Sequence, residues 1–331
     1  MDSFTVATIL RQFSLKCLGF RKEKSYYICK TDKGTKCLRP TPASVPQLLF
    51  AHNIQERLSA AGFESAERFS TTEQGMPYTV FEGEYYIAAD CRQSYRETDF
   101  SSKEDVLAAV SALGRMHSAL KSSGIISVFG TEETPEEEFG AVKSLLNECK
   151  RVVRRQTRLS DFDVLFLKNL AFYENDLSDW LEISKSEYYR QTAADAVAGG
   201  YICHNLLKEE TILLGSDGAF IVNFLAAAPA HFINDIADVI KRHSKKTVSG
   251  GAAPIEQILE QYTKYNPLSD NEVRALYAPL IFPDKFLSLC RKYYSKKRTW
   301  IPGAFLTKME SITELHERQK NYIDDFFTGI I

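Results

Sequence analysis

The chain has 331 residues, of which 44% are hydrophobic and 25% are charged, so its composition is that of a globular protein. Such a composition excludes a disordered chain, a collagen and a coiled coil. Lysine and arginine number 41 against 43 aspartates and glutamates, and this balance argues against a dedicated nucleic-acid-binding protein. No apolar run is long enough to span a membrane, and the N-terminal segment lacks the pattern of a secretory signal.

Residues 25–39 predict a β-hairpin that turns at 31–34, because apolar and polar residues alternate on both sides of a glycine-containing turn. A helix is predicted over 46–61, where a proline suits the first turn and apolar residues recur at helical spacing. Residues 77–90 predict a second hairpin around Glu82-Gly83. The first third of the chain is therefore expected to form short strands around one helix.

After Cys91 the pattern becomes helical. Residues 102–120 follow a serine cap and carry an apolar stripe, and most of 135–200 is charged and helical in pattern. Strand character returns at 201–225, where a Gly-Ser-Asp-Gly turn predicts a compact hairpin. Helices follow, one of them from the capping box at 269–272.

Strands and helices are segregated along the chain, and this excludes a Rossmann fold and a (β/α)8 barrel. An α+β fold of two lobes fits best. We expect a β-rich lobe with one helix over 1–91 and a large, mostly helical lobe over 92–331 with the hairpin 201–225 embedded in it. Ligands commonly bind where two lobes meet, so a small molecule is expected in a cleft between them.

Seven cysteines are scattered without a CxxC pair, which argues against a zinc site and against a disulfide framework. We expect free, mostly buried thiols in a chain made in a reducing cytoplasm. The positions are Cys17, Cys29, Cys37, Cys91, Cys149, Cys203 and Cys290.

The stretches 202–206, 211–214 and 221–225 resemble the catalytic segment of the aminoglycoside phosphotransferase and kinase-like superfamily. In that superfamily a His-Gly-Asp-type turn supplies a catalytic aspartate, and an asparagine five residues later binds a metal ion. An Asp-Phe-Asp-type strand end supplies the second metal ligand. The segment 232–242 is similar to the Asp-Leu-Ala helix of the superfamily, with Asp235 in the place of its aspartate.

The resemblance narrows to the CotS family of spore coat proteins. The long C-terminal stretch 265–303 carries most of this likeness, and the stretches 158–173 and 113–124 add to it. By analogy of fold, the resemblance implies a two-lobed kinase-like architecture with a small sheet lobe and a large helical lobe. It also implies association with the spore and with other spore coat proteins.

Phosphoryl transfer needs a carboxylate to orient the attacking hydroxyl and oxygen ligands to hold Mg²⁺ against the phosphates. Matched to the superfamily, Leu206 stands where the catalytic aspartate is expected and Thr211 where the metal-binding asparagine is expected. Asn223 replaces the second metal ligand, and Leu225 replaces the acidic residue that follows it. The loss of a catalytic base alone typically costs about 10²–10⁴-fold in rate, so the resemblance implies a degenerate site.

The residue matched to the phosphate-binding lysine is Arg39, and its partner on the following helix is expected to be Glu56. Both are implied as nucleotide-binding residues. The loop before the first hairpin has a single glycine, Gly19, whereas a phosphate-cradling loop needs several. Basic side chains take their place, either as a phosphate site or as a solvated turn: Arg21, Lys22 and Lys24.

Further residues allow two readings each. His204 could act as a base or hold backbone groups of its turn, and Glu209 with Glu210 could replace the lost aspartate or simply be exposed. Asp235 is expected to bind backbone N–H groups of the 204–211 turn, and His117 is expected to pack between the lobes. No metal-binding residue is expected.

The strongest local charge feature is the basic run at 291–298. Nucleic-acid binding is one interpretation, and a solvated helix end is the other, since cations suit a helix C-terminus. The family resemblance includes this run, so we expect the solvated helix end and no nucleic-acid partner.

Together these features predict a catalytically impaired kinase-like protein with a structural or scaffolding role in the spore coat. ATP and Mg²⁺ are conceivable ligands but are not expected to support turnover, so no cofactor is predicted. The alternatives are an ATP-dependent phosphotransferase acting on a small hydroxyl or amino substrate, and a nucleotide-binding sensor that does not transfer phosphate.

Overall fold

The computed structural model describes most of the chain, namely residues 2–23, 25–121, 134–247, 253–295 and 302–331. Lys24 of the basic turn and residues 296–298 of the basic run therefore lie outside the described residues. In the described part, no helix is both long enough and apolar enough to cross a membrane.

Ten short strands in the described part of the chain form three small sheets. The strands are β1 Cys17–Lys22, β2 Tyr27–Thr31, β3 Gly34–Thr41, β4 Thr79–Phe81, β5 Glu84–Asp90, β6 Arg96–Glu97, β7 Ile202–Cys203, β8 Ile212–Gly215, β9 Gly218–Ile221 and β10 Ala228–Pro229. The first five form one antiparallel sheet in the order β1-β2-β3-β5-β4. The predicted hairpins are thus present, with turns at 31–34 and 82–83.

Helices make up most of the remaining described chain. They are α1 Ser3–Gln12, α2 Val45–Ala60, α3 Lys103–Leu120, α4 Pro135–Arg154, α5 Asp161–Lys185, α6 Glu187–Ala198, α7 Ile233–Lys246, α8 Ile255–Thr263, α9 Asp270–Ala275, α10 Tyr277–Ile281, α11 Asp284–Tyr294 and α12 Pro302–Phe327. The predicted caps are formed: Ser102 accepts a hydrogen bond from the Asp105 amide, and Ser269 and Glu272 form a capping box.

The β-rich segment contains two helices rather than the one predicted. The additional helix, α1, begins at an Asp2 cap that accepts a hydrogen bond from the Thr5 amide. It buries Val6, Ile9 and Leu10 in a cluster with residues of the five-stranded sheet. The helix is only three turns long, so its apolar stripe is too short to stand out in the sequence.

The prediction of a basic loop before the first hairpin is wrong. Arg21 and Lys22 lie in strand β1, which pairs with β2, and not in a loop. Arg21 is exposed and forms an ion pair with Glu23 at 3.0 Å. An exposed pair of this kind fits the solvated alternative.

The chain divides into two compact units. The first comprises 1–130, 196–235 and 257–267, and it contains all ten strands together with the segments resembling a catalytic site. The second comprises 131–195, 236–256 and 268–331, and its described elements are all helices.

Each unit has its own buried core. The core of the second unit is rich in aromatic residues from α5, α11 and α12, among them Phe166, Tyr173 and Phe286, which stack with near-parallel rings. In the first unit, α1 packs against β1 and β4, and α2 packs against α3 and the 224–226 turn. All seven cysteines are free, and burial raises the pKa of Cys29 to about 12 and that of Cys37 to about 11, which makes these thiols unreactive.

Candidate functional site

The turn that resembles the catalytic loop follows strand β7 directly. Asp235, near the start of α7, accepts hydrogen bonds from the backbone amides of His204 at 2.7 Å and Asn205 at 3.0 Å. Asn205 has a φ of 58°, a left-handed conformation that asparagine tolerates better than most residues. The Asp235 carboxylate therefore holds the turn by its backbone.

The side chain of His204 is fully buried and contacts backbone rather than another side-chain acid. Its Nε2 lies 3.0 Å from the carbonyl oxygen of Val222, and the ring packs edge-on against Phe224. Burial lowers the pKa of His204, so the imidazole stays neutral near pH 7. This placement ties the turn to the strand end that carries Asn223, and it is the arrangement of the structural alternative.

Asp235 also belongs to a second set of buried contacts. His117 on α3 places Nε2 3.1 Å from the Asp235 carboxylate and Nδ1 2.7 Å from the Tyr262 hydroxyl. Burial alone would raise the pKa of Asp235, but the hydrogen bond and charge of His117 and the contacts from His204 outweigh it and lower the pKa. The carboxylate therefore stays ionised inside the first unit.

Cys203 lies beside this pair, and one donor atom each of Cys203, His117 and Asp235 fall within 4.8 Å of one another. Three such donors could hold a metal ion by geometry alone. Each is already used, however, because the Cys203 thiol donates to the carbonyl oxygen of His231 at 3.0 Å and the other two bind each other. The cluster is a hydrogen-bonded support for the turn.

Leu206 and Thr211 stand at the ends of the loop where a catalytic acid and a metal-binding amide are expected. The Thr211 hydroxyl is buried, donates to the carbonyl oxygen of Leu206 at 2.7 Å, and accepts from the Lys208 amide at 2.7 Å. A hydroxyl held in this way braces the loop from within. It is directed to backbone groups and not to a metal ion.

The two loop glutamates differ in their surroundings. Glu210 is exposed and lies near Lys208, with 3.9 Å between the charged atoms. The backbone carbonyl of Glu209 accepts a hydrogen bond from the Thr98 amide at 3.1 Å, which ties the loop to the segment before α3. Their replacement of the missing aspartate stays a prediction.

At the strand end after β9, Asn223 has a φ of 68° and leads into the short 3-10 turn that contains Leu225. The backbone N–H of Asn223 donates a hydrogen bond to a carboxylate oxygen of Glu67, with 2.6 Å between the two atoms. Glu67 is 1% exposed. A buried carboxylate thus lies beside this strand end, although it comes from a different part of the chain than the superfamily pattern indicates.

Arg39 on β3 binds the same carboxylate. Its guanidinium lies 3.2 and 3.4 Å from the two oxygens of Glu67, and its side chain is 21% exposed. Burial disfavours the charge, but Glu67 and the neighbouring Cys37 outweigh it and raise the pKa of Arg39, so the guanidinium remains charged. Glu67 is held in register because its amide donates to the Ile221 carbonyl at 2.9 Å.

The expected pairing of Arg39 with Glu56 is not formed. Glu56 is exposed and binds Arg68, with 2.8 Å between the charged atoms. Its neighbour Gln55 faces inward instead and accepts a hydrogen bond from the Phe69 amide. Successive helix residues point about 100° apart, so α2 cannot present both Gln55 and Glu56 to the sheet.

Sequence reasoning missed Glu67. Its two partners lie 28 and 156 positions away along the chain, so no local spacing marks it. The sequence carries one weak signal, which is that Glu67 lies between the apolar residues Ala66 and Phe69. Both of these residues are buried in the structure. Buried glutamates are rare unless paired, so such a position hints at a charged partner.

The order of strands and helices and the geometry of the turn define a kinase-like fold of the aminoglycoside phosphotransferase type, as predicted. An aminoglycoside phosphotransferase from Alicyclobacillus acidocaldarius subsp. acidocaldarius DSM 446 superposes with a TM-score of 0.81 at 15% identity, covering 98% of this chain and 95% of that chain. Spectinomycin phosphotransferase APH(9)-Ia, solved with ADP and spectinomycin, gives a TM-score of 0.64 at 11% identity, covering 97% and 98%. The amicoumacin kinase hAmiN gives 0.60 at 13%, covering 98% and 94%.

The family itself follows from the sequence match. The model of the family described as "Spore coat putative kinase YutH" matches residues 6–326, so the chain belongs to this family. The prediction of a spore coat protein with a kinase-like fold is thereby confirmed. No curated protein sequence matches the chain.

Proposed function

We propose that this protein is a spore coat component whose kinase-like fold serves assembly and does not transfer phosphate. The observation that carries the proposal is the residue at the catalytic position: Leu206 stands where the superfamily turn has its aspartate, although the backbone of that turn is held by Asp235. The Arg39–Glu67 pair does not decide between the alternatives, because an ion pair between the β3 cation and a glutamate is also a feature of active kinases.

The hydroxyl and amide groups of the loop support the same proposal. Mg²⁺ is a hard cation that prefers charged oxygen ligands in octahedral geometry. The Thr211 hydroxyl forms hydrogen bonds with the backbone of its own loop, and the side chain of Asn223 carries no charge. Leu206 offers no group that could accept a proton from a substrate.

What remains of the catalytic segment is its backbone support. Asp235 binds two amides of the turn, and His204 binds the backbone beyond β9. These contacts stabilise a shape, and a protein selected for assembly needs the shape without the chemistry. For this reason the backbone contacts are retained while the catalytic groups are replaced.

The first test is thermal unfolding of the purified protein with ATP, with and without Mg²⁺. A ligand at about 100 times its Kd adds about 2.7 kcal/mol, which is a rise of several degrees for a chain of this size. We expect no shift that depends on Mg²⁺ and no transfer of the γ-phosphate. A shift that requires Mg²⁺, with phosphorylation lost in Glu210→Ala, would refute the proposal in favour of an enzyme. A shift with ATP alone would favour a sensor.

A second test concerns the role in the spore. In spores of the producing organism, we expect the double variant Arg39→Met/Glu67→Met to leave coat composition unchanged, because it removes charge chemistry while retaining bulk. Its melting temperature shows whether it folds. Deletion of the whole protein should alter coat composition. A coat defect in a folded double variant equal to that of the deletion would mean that the charged site is needed.

A further inference from the structure

A cavity of about 510 Å³ lies within the second unit and shares no described residue with the site above. Its walls come from α5, α7, the segment from α10 into α11, and α12. Small-molecule sites in proteins typically measure about 300–1,000 Å³ and are lined mainly by apolar groups with a few polar ones. The cavity falls in that range, and it is built by helices rather than by loops.

The inner wall of the cavity is apolar. Phe282, Pro283 and Phe286 contribute from the start of α11, and Ile312 and Leu315 contribute from α12. Phe286 and Pro283 are buried, and the other three are half-buried. Such a wall favours a ligand with an apolar body, because apolar surface removed from water is worth about 25 cal/mol per Å².

The charged groups of the described lining are unbalanced. Three carboxylates belong to it: Asp176, Asp238 and Asp284. Six basic side chains face them, namely Lys241, Arg242, Lys245, Lys285, Lys308 and Lys320. The cavity therefore has an excess of positive charge, which raises the local concentration of anions.

Part of this charge is already used. Lys320 binds Asp176 at 3.1 Å, and Arg242 binds Asp238 at 3.1 Å. Lys285 has only a distant contact with Asp284, at 3.8 Å. In the described part of the chain, three lysines of the lining form no ion pair within 4.0 Å: Lys241, Lys245 and Lys308.

Lys241 is the central one of these three. Its ammonium donates to the carbonyl oxygen of Phe282 at 3.0 Å, which satisfies one of its three N–H groups. Burial lowers the pKa of Lys241, although Asp284 and Asp238 partly oppose the effect. A desolvated ammonium with unused donors gains more from an anion than an exposed lysine does.

The start of α11 adds to the positive end of the cavity. Its N-cap is Pro283, which makes no side-chain capping hydrogen bond, and the first turn of the helix lines the cavity beside Lys241. The helix dipole at such an end favours negative charge, of which Asp284 in the first turn supplies one unit. This feature is independent of the lysines and points in the same direction.

We propose that this cavity binds a small amphipathic anion. The apolar body lies against Phe282, Phe286 and Leu315, and the anionic head group, a carboxylate or a phosphate monoester, binds Lys241. A neutral apolar molecule leaves the lysine unpaired, and an inorganic anion leaves the apolar wall uncovered. Both are therefore weaker ligands than a molecule with both parts.

Trp180 offers a local reporter of binding, since its ring centre lies 5.1 Å from that of Phe282. The chain has one other tryptophan, Trp300, so the variant Trp300→Phe isolates the signal. The probes are phenylbutyrate, phenylbutyl phosphate and the neutral phenylbutanol, which share one apolar body. We expect saturable binding of at least one anion, about tenfold or more tighter than that of phenylbutanol. The comparison of the two anions identifies the head group.

Two variants locate the site. Lys241→Met removes the charge but keeps an apolar chain of similar length, and Ser311→Phe places a ring at the exposed edge of the cavity without removing buried contacts or adding a second tryptophan. Each should weaken binding of the anion about tenfold or more. Lys168→Met, on the exposed face of α5 outside the cavity, is the matched control and should change nothing.

Three results would overturn the proposal. The first is equal binding of phenylbutanol and the anions, which would leave an apolar cavity without selection for charge. The second is full binding by Ser311→Phe, which would place the ligand elsewhere. The third is absence of binding by any probe at millimolar concentration while the folded protein shows its normal melting curve.

Discussion

The substitution Glu67→Gln tests the centre of the candidate site. Glutamine keeps the shape of Glu67 and can still accept from the Asn223 amide, but it removes the negative charge. Arg39 then loses its charged partner, because its guanidinium binds both oxygens of that carboxylate. We expect a less stable protein in which Arg39 is free to bind phosphate.

The magnitude follows from the burial of the two side chains. Removing one partner of a fully buried ion pair costs about 3–5 kcal/mol. Glu67 is 1% exposed, but Arg39 is 21% exposed, so water can solvate part of the charge left behind. We therefore expect a loss of about 2–3 kcal/mol, which lowers the midpoint of thermal unfolding by about 4 °C.

The assay is thermal unfolding followed by circular dichroism, with Glu56→Gln as the matched control. Glu56 also binds an arginine, but that pair is exposed and should contribute about 0–1 kcal/mol. The double variant Arg39→Met/Glu67→Gln should recover part of the loss, because no charge is left unpaired. Equal effects of Glu67→Gln and Glu56→Gln would refute the reasoning.

Further predictions concern the packing and the pH dependence of the first and second units. Gly114→Ala should destabilise the protein by about 1–3 kcal/mol, because the added Cβ would lie 2.9 Å from the Tyr262 carbonyl oxygen. Gly140→Ala has open space around it and should stabilise α4 by about 0.5–1 kcal/mol. Unfolding in urea measures both changes. Burial lowers the pKa of His204 in the folded protein, so its contribution to stability is present above about pH 6.5 and is lost as the pH falls through the folded pKa. His204→Gln should therefore make the free energy of unfolding less dependent on pH in this range. The pKa of Asp235 is also lowered, so Asp235→Asn should cost about 3–5 kcal/mol above about pH 4 and progressively less below it, and an effect that grew towards acid pH would contradict this.

Much of the secondary structure could be predicted because its signals are local. The hairpin turn at Glu82-Gly83 has positive φ at both residues, and the Ser44, Ser102 and Ser269 caps lie within a few positions of the groups they bind. The helix α1 was missed because three turns carry too little pattern. The resemblance to kinase-like proteins identified the turn at His204, since the order of its residues along the chain is itself the motif.

The sequence by itself determined the class of fold, the family and the absence of acidic residues at Leu206, Thr211, Asn223 and Leu225. Only the tertiary structure decided what the remaining charged groups do. Glu67 meets Arg39 and Asn223 across 28 and 156 positions, and the cavity near Lys241 needs four separate helical segments. The physical reason is that caps and turns are satisfied within one turn of chain, whereas a buried charge must find its partner wherever the packing of distant segments places one.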